Sequence, residues 1–399
     1  MLLDTYRLKV VGVGMKFEVD GHVAPGFEAV MDVFEKNFSD DIEVGASCSA
    51  VVDGETVVDI WGGFQDRSFT KPWQQDTLVN VYSTTKGVAS LGVACLVEDE
   101  LIDYDAPVAE IWPEFKAGQS GLTVGQFLSH QSGICGLREK IKVEDLYDWT
   151  GMIRRIADEE PHWKPGTAAG YHAVLWGFLS GEIVRRASGK TLGTIVRERI
   201  AEPLNADFFI GLPESEHHRV SDLIGPNHAR IQPDMTDALA MKMPDLFSYA
   251  LQNPSIKPFR DACSSAWRTA EIAAANGQAN ARGIARIYGA LAKGGELEGV
   301  RIIKPETIEK MTVEEWGLEN DLVLGRPMRR GRGVNLNYDE NYGPNVNSFG
   351  HNGAGGSIGF ADPKTQLGFG YAMNQMQPGI EADTRGNRLV KSVLKCVYG

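Results

Sequence analysis

The sequence predicts an α+β fold. An α/β domain is assembled from both ends of the chain, residues 1–84 and 281–399, and a mostly helical domain, residues 85–280, is inserted between them. Three observations predict it. Strand-like runs lie towards both ends. The stretch between them carries the apolar spacing of helices. At 399 residues the chain also exceeds the ~250–300 residues over which a single core keeps growing.

Pro25-Gly26 precedes Phe27, Val30, Met31, Val33 and Phe34, spaced for one face of a helix. Ala46–Val52 and Thr56–Trp61 are rich in β-formers and are split by Asp53-Gly54, a strong hairpin signal. From Thr85 to Glu98 the pattern turns helical. Beyond it, residues 105–280 have mostly helical periodicity cut by Pro and Gly loops, with Val124–Leu128, Tyr171–Ala187 and Leu192–Ile200 the clearest helices. Ala281–Lys293 reads as a helix stopped by Gly294-Gly295. Ser348–Gly350, Gly356–Phe360 and Leu367–Met373 read as strands, with Asp362-Pro363 turning between the last two, and Arg385–Val397 as a closing helix. A site between the two domains is the default pocket.

Composition narrows the function. Hydrophobic residues make up 43% and charged residues 23%, an ordinary globular mixture. The formal net charge of −13 opposes binding to nucleic acid or to an anionic membrane, and leaves a small neutral substrate open. The five cysteines, Cys48, Cys95, Cys135, Cys263 and Cys396, are odd in number and widely spaced. They indicate free thiols rather than a disulfide framework or zinc site. The apolar run Val10–Gly14 is too short for a signal core, and no window approaches the length of a membrane span. A cytoplasmic protein is expected, with self-association left open.

The first chemical signal is Ser83-Thr84-Thr85-Lys86. On a helix, residues three apart share a face, so the amine can reach the hydroxyl. An ordinary lysine is a poor base at pH 7, and burial must lower its pKa. Gly87 to Leu96 is small and apolar all round, as in a helix lying within a core. The tetrad alone is weak, since about one copy is expected by chance. Two more copies occur. Ser68-Phe69-Thr70-Lys71 sits in a charged loop before Pro72, and Ser392-Val393-Leu394-Lys395 lies in the last helix. Only Ser83 opens a wholly apolar helix.

Two further signals follow. Tyr171, after the Pro165-Gly166-Thr167 turn, can present a phenol to a cleft as a proton shuttle; a lone tyrosine is more often a packed aromatic. His351-Asn352-Gly353-Ala354-Gly355-Gly356 can let a substrate approach the backbone and leave N–H groups open to an oxyanion, or be a plain bulge. In this order and at these separations the three resemble the serine β-lactamase-like superfamily: class C β-lactamases, DD-peptidases and, nearest, family VIII carboxylesterases. Leu101–Val108, Leu128–Gly133 and Gly353–Pro363 are similar to it as well, so the resemblance runs from about Gly26 onward.

The resemblance implies a β-lactamase/transpeptidase-like fold, an antiparallel sheet flanked by helices with an inserted all-helical domain. It also implies a serine hydrolase that needs no cofactor and no metal. Ser83 is expected to attack an ester carbonyl, with Lys86 and Tyr171 taking its proton and Tyr171 passing one to the leaving alcohol. The backbone N–H groups of Ser83 and, carried over from the family, Ala354 form the oxyanion hole, and His351, Asn352 and Gly353 bind substrate. Two departures bear on specificity. The family's Tyr-x-Asn is Tyr171-His172-Ala173, and the lysine of Lys-Thr-Gly is His351. A neutral histidine binds a carboxylate less well than lysine does. Both departures favour neutral esters over β-lactams and leave slow β-lactam turnover open; a small ester with a short acyl chain is the expected substrate. A β-lactamase or D-amino-acid peptidase, an acyltransferase and a non-catalytic binding relative are the alternatives.

Gly355-Gly356-Ser357-Ile358-Gly359 fits the Gly-x-Ser-x-Gly elbow, but that motif needs a helix after the serine and strand-like residues follow here. His130 and the pair His217-His218 lack metal-ligand spacing. They read as a structural residue and exposed loop residues.

Overall fold

A computed structural model describes residues 8–11, 16–226, 244–377 and 384–399. Gly12 to Gly14 of the N-terminal apolar run lie outside these. Ten strands form one antiparallel sheet. Four come from the first part of the chain: β1 (Leu8–Val11), β2 (Lys16–Val23), β3 (Gly45–Val52) and β4 (Glu55–Gly63). Six come from the last: β5 (Trp316–Asn320), β6 (Pro327–Arg330), β7 (Asn335–Leu336), β8 (Phe349–Asn352), β9 (Ile358–Asp362) and β10 (Leu367–Met373). Their order is β1-β2-β4-β3-β10-β9-β8-β7-β6-β5. The two sets meet where β3 pairs with β10, Cys48 opposite Tyr371 and Ala50 opposite Phe369.

The hairpin at Asp53-Gly54 has both residues at positive φ, 49° and 86°, the geometry a two-residue turn needs to follow strand twist. Alternation then sorts the sheet's two faces. Cys48, Phe369 and Tyr371 join a core with Phe34 and Phe38 of helix α1 (Glu28–Ser39). On the other face β3 and β10 present Ser47, Ser49, Gly368 and Gly370, against which another helix packs closely. That helix, Ala281–Ala292, comes so near that a Cβ on Gly368 would lie 2.0 Å from the Gly289 nitrogen. The small residues are what let helix and sheet touch.

Helix α2 (Thr84–Glu98) explains why its sequence is apolar all round: every residue from Thr84 to Val97 is buried. Burying Val88, Leu91, Val93 and Leu96 stabilises the fold by about 1.5–3 kcal/mol each. The described part of residues 105–280 is less regular than its periodicity predicts. Val124–Leu128 is helical as expected, with a Thr123 capping box. Leu192–Val196 passes into a single π-helical turn, Arg197–Ala201. Helix α3 (Leu175–Ser188) starts later than the expected Tyr171. Gly170–Val174 is not helical, and three of its N–H groups bond to other segments. Those of Gly170 and His172 go to the carbonyl and Nδ1 of His130, and that of Tyr171 goes to Asp321. Helix α4 is the Ala281–Ala292 segment already described, ending at Lys293 before Gly294-Gly295 as the glycines predict. Helix α5 (Thr384–Tyr398) packs beside α1. Strands β5 to β7 are not anticipated by the sequence pattern.

Candidate active site

Ser83 sits immediately before α2, and Tyr82, at φ 42°, is held in the left-handed region that bulky residues avoid. The turn is fastened on several sides. The Thr84 N–H bonds to the Val81 carbonyl, the Thr85 hydroxyl donates to the Tyr82 carbonyl, and the Gly277 N–H donates to Thr85 Oγ1 at 2.9 Å. Ser83 is 8% exposed and lies at the positive end of a 15-residue helix.

Lys86 is fully buried one turn along. Its Nζ lies 3.1 Å from Ser83 Oγ, 2.8 Å from the Ala173 carbonyl oxygen and 2.9 Å from that of Ala274. Burial, with the Arg330 guanidinium adding to it, holds the amine well below the ordinary lysine pKa. Two carbonyls can only accept, so each takes an N–H group, and the third position of the amine faces the serine oxygen; in the neutral amine that position is the lone pair. Tyr171 completes the chain, its hydroxyl donating to Ser83 Oγ at 2.6 Å, while Lys86 Nζ stands 4.7 Å from the centre of its ring. Ser83, Lys86 and Tyr171 therefore meet.

The position taken by an asparagine in the resembling family is Ala173, and there the backbone carbonyl, not a side chain, engages Lys86. His172 turns away. Its Nδ1–H donates to the Gly170 carbonyl, so Nε2 accepts from Ser132, and burial pushes its pKa down to about 3. His130 is buried against Tyr171, ring centres 5.1 Å apart, with its pKa held well below the usual value by burial.

His351 on β8 is 4% exposed, its ring centre 6.4 Å from that of Tyr171. Nδ1 donates to the Asn352 carbonyl, so Nε2 is an acceptor, with no partner among the described residues. Burial, with Lys86 adding to it, pushes the His351 pKa down to about 3. Asn352 follows on the strand and borders a small cavity with Met328 and Tyr338. Gly353 lies against the nucleophile's turn: a Cβ there would be 2.1 Å from the Val81 carbonyl oxygen. Ala354, next in the chain, is half-buried, and neither its N–H nor that of Ser83 donates to a described residue.

Ser357 is 1% exposed and donates to the Val81 carbonyl at 2.8 Å, with Thr84 Oγ1 2.9 Å away. It has no histidine or carboxylate beside it and leads into β9, not a helix. It stitches the 353–357 turn to the Ser83 turn. Lys71 and Lys395, of the other two tetrads, are exposed. His217 and His218 lie in a short surface helix, and no group of three or more His, Cys, Asp or Glu side chains among the described residues is arranged to hold a metal. The carbonyl of Ala274 and the pair Asp321 and Arg330 escape sequence reasoning. A backbone acceptor has no residue signature, and nothing in the residue types of Arg329-Arg330-Gly331-Arg332 marks one arginine as buried.

A buried serine, lysine and tyrosine joined by hydrogen bonds beside an antiparallel sheet define the class of serine acyl-transfer hydrolases. The chain belongs to the Beta-lactamase family, whose model matches residues 34–393. It is 35% identical over 374 residues to "Esterase/beta-lactamase LipL" of Mycobacterium tuberculosis, covering 92% of this chain and 86% of that protein. The structure is similar to that of a family VIII carboxylesterase, with TM-score 0.88, 48% identity and coverage of 95% of this chain and 100% of that one. It is also similar to a penicillin-binding protein homolog from Caulobacter crescentus, with TM-score 0.85, 40% identity and coverage of 95% and 99%. These relatives place the chain among serine hydrolases of the carboxylesterase type. Among the described residues no helix is long and apolar enough to cross a membrane.

Proposed function

We propose that this protein hydrolyses small neutral carboxylic esters through an acyl-enzyme on Ser83. The observation that carries the reading is the hydrogen-bonded chain from Tyr171 through Ser83 Oγ to Lys86 Nζ, whose two remaining positions are filled by carbonyls. Ser83 Oγ attacks the ester carbonyl carbon as its proton passes to the Lys86 lone pair. The new ammonium is stabilised by both carbonyls and by the Tyr171 ring face. The N–H groups of Ser83 and Ala354 receive the oxyanion. Tyr171 then gives its proton to the departing alcohol and is reprotonated from Lys86. Water repeats the sequence on the acyl-enzyme, releasing the acid and restoring Ser83. In this reading the ester is received where the segments 1–84 and 281–399 meet the segment 85–280, since Ser83 and Lys86 contact both Tyr171 and the carbonyl of Ala274. Ser83 is 8% exposed and crowded by Tyr171, which favours short acyl chains.

Labelling with a fluorophosphonate tests this directly. One adduct is expected, on Ser83. An adduct on Ser357, or none, would overturn the reading.

Slow β-lactam turnover is a second reading, favoured by the family and by the esterase/β-lactamase relative. A neutral His351 offers a lone pair, not a positive charge, to a substrate carboxylate. His351→Lys is therefore expected to raise the ratio of cephalosporin to ester kcat/KM by about tenfold, the value of one added charge-assisted contact. Steady-state rates on a chromogenic cephalosporin and a nitrophenyl ester measure it.

A further inference from the structure

Asp321 and Arg330 form an ion pair that is 0% and 2% exposed, Arg330 Nη2 to Asp321 Oδ2 at 2.5 Å. The two ends are unequally matched. Asp321 Oδ1 also accepts the N–H groups of Tyr171 at 3.1 Å, Val323 at 2.8 Å and Leu324 at 2.8 Å. Its negative charge is spread over four donors. Arg330 Nε and Nη1 are buried and have no partner among the described residues. A buried guanidinium with the three N–H groups of Nε and Nη1 unpaired is costly, and a pair present only for stability is replaceable by apolar side chains. The location gives the pair a use. The acid grips the backbone of Tyr171, and the base stands at the end of β6, close enough for its charge to act on Lys86, His130, His172 and His351.

We infer that Asp321 and Arg330 are positioning residues for acyl transfer, Asp321 fixing Tyr171 at the serine and Arg330 setting the electrostatic environment of Lys86. This rests on Lys86 being the base. The groups around Lys86 are Ser83 at the start of its own helix, Tyr171 and the carbonyls of Ala173 and Ala274, His351 from β8, His130, Arg330 from β6 and, beside Gly87, the Tyr288 hydroxyl from α4. Of these, Arg330 alone carries a permanent charge, since burial keeps both histidines neutral. Its loss should let Lys86 hold a proton to higher pH, and the acidic limb of activity should follow.

The test compares pH profiles of kcat/KM on a nitrophenyl ester. In the double variant Asp321→Asn with Arg330→Met, the carbonyl oxygen of the new side-chain amide still accepts the three N–H groups while the charge is gone. Its acidic limb is expected to rise by about one pH unit, a roughly tenfold loss on the limb that shrinks towards the plateau. Arg330→Lys keeps the charge, and its limb should stay at the wild-type position. An unmoved limb in the double variant, or equal shifts in both, would overturn the inference. If the double variant does not fold, Arg330→Gln replaces it in the same comparison. Lys86→Ala separates the two levels. If it is inactive and the limb stays fixed, only the role of Arg330 falls. If it is fully active, the base assignment falls with it.

Discussion

Ser83→Ala abolishes ester hydrolysis, with kcat falling by about 10⁴-fold or more. The expectation follows from the position of Oγ. It is the atom on which both the Tyr171 hydroxyl and Lys86 Nζ converge, and no second hydroxyl among the described residues shares those contacts. The nearest rival, Ser357, spends its proton on the Val81 carbonyl. Thermal unfolding of Ser83→Ala should match the wild type closely, because Thr84 and Thr85, not Ser83, make the bonds that fasten the turn. A rate loss without a change in stability separates the loss of a nucleophile from misfolding. Retained activity would sink the acyl-enzyme.

Lys86→Met lowers kcat by about 10²–10⁴-fold, the range for removing a positioned general base. It also changes how stability responds to pH. The folded pKa of Lys86 lies well below its unfolded value, mainly through burial. Between those two values the unfolded chain holds a proton that the folded chain does not, so wild-type stability rises with pH across that window. The fully buried side chain meets little solvent screening. The difference in unfolding free energy between wild type and Lys86→Met should therefore change by about 1.4 kcal/mol per pH unit in the window, in favour of the wild type as pH rises. Denaturant titrations at a series of pH values below the ordinary lysine pKa measure it. A difference independent of pH would mean that Lys86 is charged in the folded state.

The parts of the fold that are legible in the sequence are those where burial is written in residue type. The Gly87–Leu96 run announces a core helix because no polar face interrupts it, and Asp53-Gly54 announces a hairpin because few other pairs tolerate two positive φ angles. Strands β8 to β10 are readable from their glycines and aromatics. Strands β5 to β7 are not, because Trp316–Asn320 is short and mostly exposed and Pro327–Arg330 ends in two arginines. At the site, Ser83, Lys86 and Tyr171 can be named from type and order. The carbonyls of Ala173 and Ala274 cannot, since any residue supplies a carbonyl. Arg330 stays hidden because a guanidinium buried on a carboxylate nine positions earlier has the same sequence as one in water.

The joint between β3 and β10 has a consequence for synthesis. Its paired residues, such as Ala50 and Phe369, are more than three hundred positions apart, and the Gly353–Ser357 turn that braces Ser83 depends on the strands beside it. A chain emerging from the ribosome acquires Ser83, Lys86 and Tyr171 in its first half, yet has no completed sheet behind them. Hydrolytic activity should switch on only after residue 373 has been made and has paired, and non-local pairing of this kind is slow. A partly made chain therefore carries its nucleophile without the framework to use it.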